Sequence, residues 1–328
     1  IWIGSQNGII RVNLDGNNPT FKPYKQINIA NISALELIDN TLLVGTYLNG
    51  LLIHDLETKR NIRYGDNFLS DHSILDILIH ENKAWLGYLT EGIGKLSLKD
   101  WTCNYIPPRE NDPNWYNGYM IRTIFTDSYT NDIWFGAAGR GLFKYDPESN
   151  TFKTYYLEGT DTSLVNQYSV FDIVQMDDDI LFLGTNMGLY YIDLKSGDHW
   201  LRAYKGKFPF NKMKIHCLIL DDFNNLWLGT NRGLFSLYTK TNKWREYTVL
   251  DGLPNNNFNI GAKLKLQDGT ILMGTRSGLV VFDPREIVIN PVTHDIYLVD
   301  VKIHNTSVGQ TISFEKNGST IFRNISDV

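Results

Sequence analysis

The sequence predicts an all-β fold, a seven-bladed β-propeller of four-stranded antiparallel blades, and three observations lead there. The first is a motif, seen clearly at Leu226 to Leu234 as LWLGTNRGL: a large apolar residue, any residue, glycine, a short polar turn, then glycine and an apolar run. The second is its period. The first glycine recurs at Gly4, Gly45, Gly87, Gly136, Gly184, Gly229 and Gly274, with spacings of 41, 42, 49, 48, 45 and 45 residues. The third is the residue two places earlier, Trp2, Leu43, Trp85, Trp134, Phe182, Trp227 or Leu272, which is bulky and apolar every time. A period in the forties with strand-like content marks one supersecondary unit stacked repeatedly, and an all-β unit of that size is a propeller blade.

Each repeat reads as four strands. In the second, strands are expected at Ile32 to Ile38, Leu42 to Thr46, Leu51 to Leu56 and Asn61 to Tyr64, with turn-forming pairs at Asp39-Asn40 and Asn49-Gly50. The sixth repeats this at Ile215 to Leu220, Leu226 to Thr230, Leu234 to Tyr238 and Trp244 to Thr248. Such short strands joined by tight turns form antiparallel meanders, because parallel pairing needs long crossovers. The motif glycines read as points of close packing or turn geometry, and the bulky residue two places before each as filler between blades.

The two ends depart from the pattern. The first repeat starts at its second strand, IWIGS, with no first strand before it. The seventh has no immediate fourth strand after LVVFDP, which ends at Pro284. The propeller is therefore assigned to residues 1–290. Residues 291–328 hold either a closing strand, at Ile296 to Ile303, or the opening of a separate, β-sandwich-like domain. Because Ile1 falls inside a strand, the chain reads as an excerpt from a longer protein.

Composition narrows the function. Aromatics at 13% and hydrophobics at 42% suffice for a large core, and a net charge of −5 argues against a general attraction to nucleic acid. The two cysteines, Cys103 and Cys217, lie in different repeats, outside any CxxC pair, and read as free buried thiols. No apolar run is long enough to span a bilayer.

The repeats resemble the two-component regulator propeller family, whose blades carry W-x-G-T, a turn, G-L and an F/Y-D-P segment. Matching residues are Trp227 to Thr230 with Gly233-Leu234, Leu272 to Thr275 with Gly278-Leu279, and Phe282-Asp283-Pro284 or Tyr145-Asp146-Pro147. Asp251-Gly252-Leu253-Pro254-Asn255 is similar to the family's DGLPxN connector. Tyr88 after Gly87, and Tyr238 where other repeats have Asp, depart from the pattern. The tail from Pro291 resembles the start of the Ig-like Y_Y_Y domain that follows these propellers. The resemblance implies a periplasmic sensor region of a hybrid two-component histidine kinase, homodimeric in the full ectodomain, recognising a glycan fragment. Membrane anchoring would come through segments absent here.

A ligand is expected at the top face, where the turns between second and third strands meet the connections between blades, since long loops on a rigid scaffold carry binding. Arg140, Arg232 and Arg276 lie in those turns and suit forked recognition of carboxylate or sulfate, which points to an acidic oligosaccharide. Trp115, Tyr116 and Tyr119 offer aromatic faces in the loop Pro107 to Met120, Lys212 lies in a basic loop, and His216 enters a first strand at the top. No catalytic residues, metal ligands or cofactors are assigned. The histidines are scattered, and Asp177-Asp178-Asp179 and Asp221-Asp222 fall where Asp makes tight turns. A polysaccharide lyase or hydrolase and a protein-interaction scaffold are the alternatives.

Overall fold

The structure is a computed structural model of the 328-residue chain. It describes all residues except 15–19, 65–72, 110–111, 113–114, 117, 119, 159–167, 178, 198, 205–212, 288–301, 304–305, 308–310, 317–318 and 325–328. The chain divides into two units, Ile1–Pro284 and Arg285–Val328.

The first unit is a succession of antiparallel meanders in which sequence neighbours pair. Four-stranded meanders run over Ile32 to Tyr64, Ile74 to Ile106 and Ile215 to Tyr247. Two more, starting at Ile121 and Val170, are fused into one eight-stranded sheet through parallel pairing of Tyr156 with Trp200 and Leu157 with Leu201. The first meander (Trp2–Ser5, Gly8–Asn13, Thr20–Pro23) and the last (Phe258–Lys265, Ile271–Thr275, Leu279–Phe282) hold three described strands each. We number these meanders one to seven along the chain. Successive first strands pack side by side, from Ile32–Ile38 through to Phe258–Lys265, which makes the arrangement propeller-like.

The motif glycines set how closely the meanders approach. A methyl group added at Gly45 would fall 2.9 Å from Ile74, at Gly136 2.8 Å from Val170, and at Gly184 2.8 Å from the carbonyl oxygen of Ile215. In each case the opening residue of the next meander's first strand is in the way; at Gly136 the methyl of Thr123, in its own meander, is closer still at 2.6 Å. The bulky residue two places before each glycine spans the same junction: Trp85 packs with Ile121 and Phe135, Trp134 with Val170 and Ile173, and Phe182 with Ile215 and Leu218. Apolar burial between sheets, at about 25 cal/mol per Å², is thus distributed along the repeat.

The threonine after the glycine closes the turn. In meander six the Thr230 hydroxyl donates to Gly233 O (2.8 Å) and accepts from Arg232 N (3.0 Å) and Gly233 N (3.1 Å). Thr46, Thr185 and Thr275 donate to Gly50, Gly188 and Gly278 in the same way, and Ser5 to Gly8. Meander three, with Tyr88 at this position, is served instead by Tyr116, whose hydroxyl accepts from Ile93 N at 3.2 Å. Thr230→Val keeps the side-chain shape and strands one buried donor, Gly233 N, and one part-buried donor, Arg232 N. It is expected to cost about 1–3 kcal/mol, read as a lower urea midpoint with an unchanged m-value.

The strand boundaries expected for meanders two and six differ from those observed, such as Thr41–Thr46 and Asn225–Thr230, by at most one residue per end. Meander seven runs from Leu279–Phe282 into a single 3-10 turn at Pro284–Glu286. In the second unit the described strands form two hairpins, Lys302–Ile303 with Thr306–Ser307 and Thr311–Lys316 with Ser319–Asn324. Most of Ile296 to Ile303 lies outside the described residues, as does the choice between closing strand and new domain. Both cysteines are unpaired; Cys217 is buried and Cys103 half-buried.

Candidate binding site at the inner-strand bulges

The turn between second and third strands lies at the same end of each meander as the entry to its first strand. A backbone bond ties them: Tyr47 N to Asn31 O (2.9 Å), Leu89 N to Ser73 O (3.0 Å), Ala138 N to Met120 O (2.9 Å), Asn231 N to Lys214 O (3.1 Å) and Arg276 N to Asn257 O (3.1 Å). This end is the top face expected from the sequence.

Immediately inside that entry the pairing register slips. The irregularity falls between Ile32 and Ala34, Ile74 and Asp76, Ile121 and Thr123, Val170 and Asp172, and Ile215 and Cys217. One extra residue per strand, Ser33, Leu75, Arg122, Phe171 or His216, is therefore freed from the ladder and re-aimed, as bulges do. The next residue, often small, lies opposite the motif glycine, for example Thr123 opposite Gly136 and Cys217 opposite Gly229. A bulge at one position in successive meanders gathers side chains far apart in sequence.

In meanders four to six these are Arg122, Phe171 and His216. The Arg122 guanidinium carbon lies 5.8 Å from the Phe171 ring centre, and the Phe171 and His216 rings meet edge-on at 5.6 Å. The Nε of Arg122 is buried with no hydrogen-bond partner. His216 Nδ1 is 2.7 Å from Phe258 O, so that nitrogen carries the proton and Nε2 is left as acceptor. Burial pulls the His216 imidazole below its ordinary value; the bond to Phe258 opposes this, and the positive charges of Lys214, Arg276 and Arg122 reinforce it. The cluster is a cationic patch with an aromatic centre and an unmet donor, chemistry that suits a carboxylate or sulfate on a larger ligand.

The residues singled out in the sequence separate into three groups. His216 belongs to the cluster, and Arg276, exposed in the top turn of meander seven, acts on it through its charge. Arg232 is exposed in the turn whose Asn231 is bonded on both sides to Lys214, through its backbone and at 3.1 Å through its side chain. Arg140 is half-exposed in meander four, where its Cβ lies beside Gly118. Trp115 and Tyr116 sit in the core: Trp115 Nε1 donates to Pro107 O (2.7 Å) with Arg109 over its ring, and Tyr116, fully buried, donates to Ile106 O. Those bonds anchor the loop and leave no aromatic face for a sugar. Tyr119 and Lys212 lie outside the described residues.

Arg122 and Phe171 complete the cluster and were not singled out, while Lys214, from the same basic loop as Lys212, adds its charge. The signal of Arg122 and Phe171 in the sequence is positional: each is the variable residue between a β-branched residue and a small or polar one, as Ile121-Arg122-Thr123 and Val170-Phe171-Asp172. The acids Asp127, Asp193 and Asp221 are occupied as turn caps, Asp221 accepting from Phe223 N and Asn225 N at 2.9 Å. His54 is buried between Tyr24 and Asn61. Among the described residues no His, Cys, Asp and Glu cluster could hold a metal ion, and no helix is long and apolar enough to cross a membrane.

No protein-family model matches the chain. A curated relative, Histidine kinase P4 of Formosa agariphila, is 26% identical over 299 residues, covering 85% of this chain and 21% of the relative. The extracellular domain of the putative one component system BT4673 from B. thetaiotaomicron is similar with a TM-score of 0.69 and 24% identity, over 85% of this chain and 36% of that one. That of the putative hybrid two component system BT3049 from the same organism gives a TM-score of 0.68 and 20% identity, over 94% of this chain and 42% of that one. At these identities the structural likeness carries the fold. This chain spans less than half of each of these proteins.

Proposed function

We propose that this region is a non-enzymatic sensor, a seven-bladed propeller outside the cytoplasmic membrane in a hybrid two-component histidine kinase, and that it binds an acidic oligosaccharide. The observation that carries the reading is the alignment of Arg122, Phe171 and His216 by one recurrent bulge, with the charges of Lys214 and Arg276 acting on His216. Among the described residues, the largest charge effects on His216 come from cations. A glycosidase would need carboxylates flanking the scissile bond, so the arrangement favours holding an anion over cleaving a sugar. Similarity to a histidine kinase and to extracellular domains of one-component and two-component systems supports the sensor setting. Signalling then requires only that the ligand prefer one arrangement of domains or of a homodimer over another.

Calorimetric titration with acidic and neutral oligosaccharides, with product analysis of each mixture, tests this. Saturable binding of an acidic sugar recovered intact is expected; cleavage, or binding of neutral sugars alone, would overturn it. The pH dependence has a definite sign. In the free protein His216 is held below its ordinary value, and a bound anion favours its protonated form, so the complex takes up a proton. Affinity should therefore rise as pH falls from the bound-state to the free-state pKa, by at most about tenfold per pH unit, and His216→Asn should flatten the slope.

A further inference from the structure

Asp76 and Asp172 stand at the same position of meanders three and five, first after the bulge and opposite a motif glycine. Each accepts from the amide of its own next residue, Ile77 or Ile173, at 2.9 Å. Each also accepts from an amide of the following meander, Ile124 or Leu218, at 2.6 Å. Among the described residues only Asp172 has a cationic partner. Lys263, two meanders further on, places its ammonium 2.6 Å from the Asp172 carboxylate and 2.8 Å from Leu218 O.

The residue two meanders beyond Asp76 in the place of Lys263 is Ile173. It pairs with Leu183, the residue before Gly184, as Lys263 pairs with Met273, the residue before Gly274. Its side chain brings no charge. Ile124 pairs with Phe135 as Leu218 pairs with Leu228, so its carbonyl faces the same inner edge as the one that Lys263 caps. The charges that act most on Asp76 are those of Asp172 and of Glu36 in meander two, both acids. Arg122, on the same strand as Ile124, turns to Phe171 instead. Asp76 keeps part of its surface open to solvent, whereas Asp172 is buried.

We propose that a small monovalent cation, of the size of ammonium or potassium, binds between the Asp76 carboxylate and Ile124 O, in the place that the Lys263 ammonium fills between Asp172 and Leu218 O. Lys263 demonstrates that a carboxylate in this position takes a cation in addition to its two amide donors. A single positive charge suits the place, because among the described residues no group of three His, Cys, Asp or Glu gathers to hold a more highly charged ion. The nearby Glu36 strengthens the attraction. The site uses no residue of the cationic cluster and stands whether or not that cluster binds a glycan.

Thermal unfolding at pH 8 in ammonium or potassium chloride, compared with tetramethylammonium chloride at equal ionic strength, tests this, since the bulky ion cannot enter. The small cations should raise the midpoint saturably, by about 2–4 °C at ten times the dissociation constant. Asp76→Asn keeps an acceptor for Ile124 N and should abolish that advantage. The advantage should also fade below about pH 7, where burial keeps the proton on Asp76, the opposite sign to the anion response of His216. Should Asp76→Asn fail to fold, Glu36→Gln leaves both oxygen ligands in place and should weaken the response several-fold. Equal midpoints in the three salts, or an advantage of the small cations undiminished in these variants, would overturn the proposal.

Discussion

Gly184→Val should unfold the protein at temperatures where the wild type is intact. The added Cβ would lie 2.8 Å from the backbone oxygen of Ile215 and 3.0 Å from its Cγ2. A backbone atom at the mouth of the next first strand cannot step aside without moving the whole junction. Overpacking of this kind costs about 1–3 kcal/mol and sometimes more, and a branched side chain against backbone belongs at the upper end. At roughly 2–4 °C per kcal/mol for a large domain, the thermal midpoint should fall by several degrees at least. Gly278→Ala is the control. Its nearest neighbours are Pro254 carbons at 3.4 and 3.6 Å, so its effect should stay within about 0.5 kcal/mol. Equal effects at the two sites would refute the view that the motif glycine sets the approach of one sheet to the next.

Asp172→Ala has the second large effect. Asp172 is buried on the first strand of meander five, where its Oδ2 accepts from Leu218 N of meander six at 2.6 Å and its Oδ1 from Ile173 N at 2.9 Å. Lys263 of meander seven reaches the same carboxylate at 2.6 Å and donates to Leu218 O at 2.8 Å. One side chain thus joins three sheets. Burial pushes the Asp172 carboxyl up, and Lys263 with the backbone donors pulls it back towards the ionised form. Removing one partner of a buried pair leaves the other charge uncompensated, at about 3–5 kcal/mol. Asp172→Ala and Lys263→Met should each destabilise the protein, and the double variant should cost clearly less than the sum. Strict additivity would show that the pair is not coupled. Asp76 makes the same reach from meander three, to Ile124 N at 2.6 Å, and burial raises its carboxyl to about 7.

The repeat was legible because its physical demands fall on residue types that composition exposes. A close junction requires glycine, a junction core requires Trp, Phe or Leu two places earlier, and the turn requires a hydroxyl as at Thr230. The cationic cluster was only half legible. His216 and Arg276 were visible as unusual residues near a top turn, but Arg122 looks like any outward strand residue until the register slip at Ile121/Thr123 frees it. A bulge alters pairing without altering composition. Trp115 and Tyr116 illustrate the opposite case: aromatic residues in a polar loop resemble a sugar platform, and only their bonds to Pro107 and Ile106 assign them to the core.

The most direct test of the inner-strand site compares Arg122→Ala with Arg140→Ala in titrations with whichever acidic oligosaccharide binds the wild type best. Losing a charge-assisted contact from the bulge cluster should weaken binding by roughly 1.5–3 kcal/mol, about ten- to a hundredfold, while Arg140→Ala should leave affinity nearly unchanged. Wild-type affinity in Arg122→Ala together with a large loss in Arg140→Ala would contradict the assignment and return the site to the outer turns.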